Sequence, residues 1–207
     1  MKKRLLFLLF FIIVISLFIS WRVIVSPQYS LKQLKKAIAN NDTVTFDKYV
    51  DLDRTVEAAI DQIWQYYSNP VADSRKNPWF DIRNEIGSTL LSVVKPNLKE
   101  IIKKEIHSYT SQGKWEDAIS QDENRLVSVF VKKVKEIVNP DDWEFQSINY
   151  IEIENDVASL GLTYYDRTKQ SNFIVEVKMR KMSGYWQIIE ITNVNQLLNI
   201  FLNITNV

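Results

Sequence analysis

Few residues in this chain could do chemistry, and each also has a plainer reading. His107 is the only histidine and there is no cysteine. Disulfides and thiolate zinc sites are therefore excluded, and any catalytic Ser–His arrangement would have to use His107. On a helix that turns Ile106 and Tyr109 inward, His107 falls off the apolar stripe and is expected in solvent. Asp51 and Asp53 are spaced like paired carboxylates for acid–base work or calcium. They lack the further oxygen ligands and glycine turn of a calcium loop. Helix capping by one, with dipole stabilisation by the other, is the expected role. Asp141 and Asp142 follow Pro140 as a turn. No catalytic, metal or cofactor site is assigned, and no cofactor is expected.

Two groups of aromatic residues remain. Trp143, Tyr164, Tyr165 and Trp186 are candidates to line a cavity between sheet and helices, because ligand sites are concave and mostly apolar. Aromatic residues on strand faces also simply pack. Pro78, Trp79 and Phe80 form a candidate exposed patch that would suit a partner. Composition narrows the classes further. With four glycines in 207 residues, Gly-rich phosphate loops are effectively excluded, and a net charge of +1 without basic blocks gives no nucleic-acid signal.

The elements that must position these residues begin with an anchor. Lys2, Lys3 and Arg4 precede an uncharged run from Leu5 to Ser20, followed by Trp21 and Arg22. Residues 5–25 fit a membrane span if Arg22 snorkels beside an interfacial Trp21. The basic start predicts a cytoplasmic N-terminus and an extracytoplasmic remainder. A cleaved signal peptide is the rival. The residues before Ser20 and Ser26 make poor cleavage sites, so an uncleaved signal anchor, residues 1–25, is expected. Ser16 and Ser20 could face a second helix or simply lie in lipid.

Residues 26–207 read as one extracytoplasmic α+β domain, with helices within 30–138 and strands within 143–192. Ser30 is expected to cap a first helix from Leu31, with Gln33 completing a capping box and Tyr29 and Leu34 forming a staple. That helix would bury Leu31, Leu34 and Ile38. Asp42 caps a second, and Val56, Ile60, Ile63, Trp64 and Tyr67 mark a third. A polar loop covers 68–79. A helix over 80–94 should stop or kink at Pro96, with another through Tyr109 and a last one after Ser120. Alternation then predicts strands over 143–153, 157–165, 173–180 and 185–192, with a Ser183-Gly184 hairpin, and a closing helix over 195–202. Helices packed on one face of a four-stranded antiparallel meander is the expected architecture.

"SPQYSLKQLKKAIANNDTVTFDKYVD", residues 26–51, carries a resemblance. Its Ser26-Pro27, Tyr29 and Leu31, its Ala37, Ile38 and Asp42, and its Tyr49-Val50-Asp51 ending resemble the bacterial membrane-anchored family called domain of unknown function 2939. "YWQIIEI" around Trp186 is similar to that family's last strand, although Met182-Ser183-Gly184 replaces its usual turn. The resemblance implies a bacterial cell envelope location and a compact helix-plus-sheet domain. It brings no activity and no site residues. The order of helices and meander also resembles the cone-shaped nuclear-transport-factor-like superfold, which informs shape and not function. The expected function is a single-pass, membrane-anchored module that binds an envelope protein or ligand without catalysis. The alternative is a small-ligand-binding or enzymatic domain with a sheet–helix cavity.

Overall fold

The computed structural model describes residues 25–68, 80–115, 131–132, 135 and 140–201, with side chains throughout except at 66–68 and 80–94. Among the described residues no helix is long and apolar enough to cross a membrane. The expected span lies outside them, apart from Val25. So do Pro78, Trp79 and 69–77 of the loop before them, whose expected first residue, Ser68, is helical. The helix expected after Ser120 is described only at 131–132 and 135, which are helical, with Val131 buried.

Helix α1 runs Pro27–Ala39. It starts earlier than the capping box predicts, and a different serine caps it. Ser26 Oγ accepts from the Tyr29 N–H at 3.2 Å, and Pro27 takes the first helical position. There its missing N–H costs nothing and its fixed φ suits the helix. Ser30 is fully buried inside α1. The inward stripe is Pro27, Ser30, Leu34 and Ala37, and Ile38, expected in the core, is 41% exposed. Small residues at 30 and 37 let α1 approach the sheet, which turns Ile38 outward.

The next boundaries follow the polar residues as read. Asn41 adopts φ +55°, and the Asp42 carboxylate accepts from Thr45 N–H at 2.9 Å to open α2, Thr43–Tyr49. Asp51 does the same for Arg54 N–H at 3.1 Å and opens α3, Leu52–Ser68. Val56 and Ile60 of α3 are buried, with Ile63 and Trp64 packed beside them.

Helix α4, Phe80–Gln112, is one continuous element, not two. Pro96 lies within it and neither ends it nor divides it. A proline there leaves the carbonyl four residues back without its donor, at a cost of about 3 kcal/mol. What offsets that cost is contact on both sides of the break. Leu98 is 3% exposed in the core. Lys95, Lys99 and Lys103 meet Asp61, Glu57 and Asp53 of α3, with closest pairs at 2.7, 3.2 and 2.9 Å. Spacing by four on both antiparallel helices makes this a ladder.

A 3₁₀ turn, Pro140–Asp142, leads into the sheet. Strands β1 Trp143–Glu154, β2 Val157–Asp166, β3 Ser171–Lys181 and β4 Trp186–Ile191 form an antiparallel meander in the order β1-β2-β3-β4. Helix α5, Val194–Phe201, closes the chain described. The fold class is thus α+β: among the described residues, helices α1 to α5 accompany a four-stranded antiparallel sheet. Alternation sets the inward face: Ala158↔Met179, Leu160↔Val177 and Leu162↔Val175 are cross-strand partners in the core. The β3–β4 turn is the expected one. Met182 N–H donates to the Tyr185 carbonyl at 2.8 Å across Ser183-Gly184, and Gly184 takes φ +91°. Register shifts in β1 near Gln146 and Asn149 bend this edge strand, which discourages stray pairing.

On the sheet's other face, Tyr150 lies over its register partner Gly161. A Cβ at Gly161 would overlap the Tyr150 ring. Gly161→Ala should therefore destabilise the domain by about 1–3 kcal/mol. Tyr150→Ala in the same chain should recover part of that loss, which a double-mutant cycle in urea would measure.

Candidate functional site

The most specific polar arrangement in the domain gathers on Trp186. Its backbone N–H donates to Ser30 Oγ at 2.9 Å, and its indole N–H donates to the Val25 carbonyl at 2.8 Å. The residue is 3% exposed. Sequence position explains both contacts. β4 begins directly after the hairpin, so Trp186 is the first residue of an edge strand. Its N–H points away from β3 and needs an acceptor. Ser30 supplies one from inside α1, which is why it does not act as a cap. A second contact holds the same edge: Asp51 N–H donates to the Ile188 carbonyl at 2.8 Å, beside a parallel bridge between Val50 and Ile188. The start of the described chain is thereby fixed to its last strand.

Around this clamp stand three tyrosines and a lysine. The Tyr49 and Tyr185 rings meet edge to face at 5.6 Å, and Lys48 Nζ sits 5.5 and 5.0 Å from their centroids. Burial raises the Tyr49 phenol above its ordinary range, and the neighbouring Tyr29 and Tyr185 phenols add to the rise. Nothing in the spacing of Tyr29, Lys48, Tyr49 and Tyr185 advertises this cluster, because three separate elements bring it together.

The four aromatic candidates do not converge. Trp143 stacks on Phe201 at 5.0 Å and meets Phe173 edge-on at 5.1 Å. Tyr164 stacks on Phe173 at 5.8 Å and meets Phe145 at 5.6 Å. Burial pushes the Tyr164 phenol up. These two thus share one aromatic cluster through Phe173. Trp186 lies opposite Lys181, at the far end of β3, roughly 25 Å along the strand from Phe173. Tyr165 follows Tyr164 on β2 and alternation turns it to the other face. Of the candidate patch, Phe80 is the first residue of α4, and Pro78 and Trp79 lie outside the described residues.

The polar candidates are occupied. Asp51 caps α3 and approaches Arg180 at 3.7 Å. Asp53 stands in the first turn of α3 and bonds Lys103, which holds its carboxyl below the usual range. His107 is half-exposed, 3.4 Å from an Asp47 oxygen and edge-on to Phe46. Asp141, the middle residue of the 3₁₀ turn, accepts from the Tyr109 hydroxyl at 2.6 Å. Among the described residues no group of three or more acidic residues or histidines could hold a metal ion. Two further side chains, absent from the sequence reading, join elements by amide chemistry. Gln62 donates to the Ile191 carbonyl and accepts from Val194 N–H. Buried Asn193 donates to Ile174 and accepts from Glu176 N–H.

Comparison of the chain with protein-family models, curated proteins and solved structures finds no match.

Two expectations follow. Ser30→Ala strands the buried Trp186 N–H and should cost about 1–3 kcal/mol in denaturant unfolding, whereas Gln33→Ala, outside the clamp, should cost far less. Burial and Asp141 push the Tyr109 phenol up to about 12. Its contribution to stability is whole below the ordinary tyrosine range near pH 10 and is lost as pH rises through the folded value. Tyr109→Phe should remove one late-titrating phenol from the absorbance titration and flatten the stability loss between those limits.

Proposed function

We propose that this chain is a single-pass envelope protein whose α+β domain lies outside the cytoplasm and binds a protein or ligand there without catalysis. The observation that carries the reading is the Trp186 clamp. It makes Val25, the last residue of the apolar run, part of the folded domain. A domain built to roam on a tether would have no use for such a fixed joint. The apolar run 5–25 behind basic Lys2, Lys3 and Arg4 supplies the orientation. Asp42 and Asp51 serve as caps, Asp53 as a ladder rung, and His107 faces Asp47, which supports a binding role for this part of the domain over acid–base chemistry. The resemblance of residues 26–51 to domain of unknown function 2939 fits the same reading.

The expected outcome in intact cells is a full-length, membrane-bound chain whose domain is degraded by external protease only after the outer barrier is opened. A mature chain beginning near residue 21 or 27, or a domain protected until the inner membrane is lysed, contradicts the reading. Crosslinking in the same cells should then recover a specific envelope partner.

A further inference from the structure

The phenol cluster and Lys48 sit at the point where the apolar run enters the domain. We propose that Tyr29, Tyr185 and Lys48, backed by Tyr49, form a docking surface for the phospholipid headgroup layer, with lipid phosphate as the group bound. This rests on the anchored reading above and adds to it that the domain lies against the bilayer, not merely near it.

Chain length sets the distance. Arg22 precedes Val25 by three residues, so the two are at most about 10 Å apart whatever their conformation. Val25 is held by the Trp186 indole, and Tyr185 is the next residue back from Trp186. Tyr29 lies in the first turn of α1, one residue from the buried Ser30. An Arg22 at headgroup level therefore brings these side chains to the lipid surface as well.

The chemistry suits that surface. Tyrosine has an apolar ring and a polar tip, and it concentrates where hydrocarbon meets water. Lys48 is exposed, its ammonium is steadied over two rings, and among the described residues it makes no ion pair. It can present its donors to phosphate. The charges around it are engaged elsewhere. Asp47 faces His107, Asp51 faces Arg180, and Lys181 at the hairpin faces Asp156 at 3.7 Å. Among the described residues Lys48 is thus a cation of this corner with no carboxylate against it, placed to meet an outside anion.

The absence of cysteine permits a direct test. The full chain would be reconstituted in phosphatidylcholine–phosphatidylglycerol nanodiscs that hold a trace of nickel-chelating lipid. One spin label is placed at Ser183→Cys on the hairpin, and in a second sample at Thr168→Cys in the β2–β3 turn. β3 separates these turns by roughly 33 Å. Docking predicts strong nickel relaxation at 183 and little at 168. A short tether alone could give some of that contrast, so Lys48→Glu decides between them. Docking predicts that this variant weakens the relaxation at 183 by about twofold or more, with the folded circular-dichroism spectrum retained. Equal relaxation at the two turns, or no effect of Lys48→Glu, overturns the proposal while leaving the anchor intact. A chain that fails to co-purify with the discs overturns the anchored reading instead.

Discussion

Everything about how this domain begins depends on one residue at the start of the last strand. Trp186 gives its two N–H groups to Ser30 and Val25, residues more than 150 positions earlier. A buried N–H without an acceptor costs about 1–3 kcal/mol, a large share of a typical domain's stability. Strand β4 therefore depends on α1 as much as α1 depends on β4. Neither the first helix nor the closing strand of the sheet is complete without the other. In folding terms this is a long-range contact, formed only after the loop between the ends has closed.

A second theme is that the polar side chains mostly do structural work at seams. Gln62 and Asn193 carry their amides to backbone groups where β4 gives way to α5 and ordinary pairing stops. Asp166 accepts from both Thr168 and Lys169 N–H groups in the β2–β3 turn. Lys169 in turn donates to the Ile200 carbonyl near the end of α5 and sits over the Phe201 ring. Burial lowers its pKa despite Asp166 nearby. A lysine committed to a helix end in this way is part of the scaffold.

The second half of the chain was the more legible one. Period-two alternation, the Ser183-Gly184 turn and the onset at Trp143 located all four strands within two residues or so, because sheet patterning is imposed by burial along each strand. Asp42 and Asp51 announced their helices because capping is local. What sequence alone misassigned was decided at a distance. Ser30 has the type and spacing of a capping residue, and only the approach of Trp186 draws it into the core. Pro96 is a helix breaker whose effect α3 overrides from outside the helix. Trp143 and Tyr164 meet through Phe173 while Trp186 stands at the other end of β3 for a related reason: residue type says that a ring will be buried, but only register says which end and face of the sheet it occupies. The Tyr29, Tyr49 and Tyr185 cluster was hidden because its members come from three elements.

The charge ladder between α3 and α4 has a consequence of its own. Lys95 reaches both Asp61 and Glu57, and Lys99 reaches both Glu57 and Asp53. Each of these two cations already lies between two rungs. A slide of one helix along the other by a full turn, about 5.4 Å, would re-form most of the pairs. The ladder therefore selects which faces meet and that they run antiparallel, yet it is nearly indifferent to sliding. The detent that stops such motion must be steric, and Leu98, seated in the core one residue from the Lys99 rung, is the tooth that holds the rack in place.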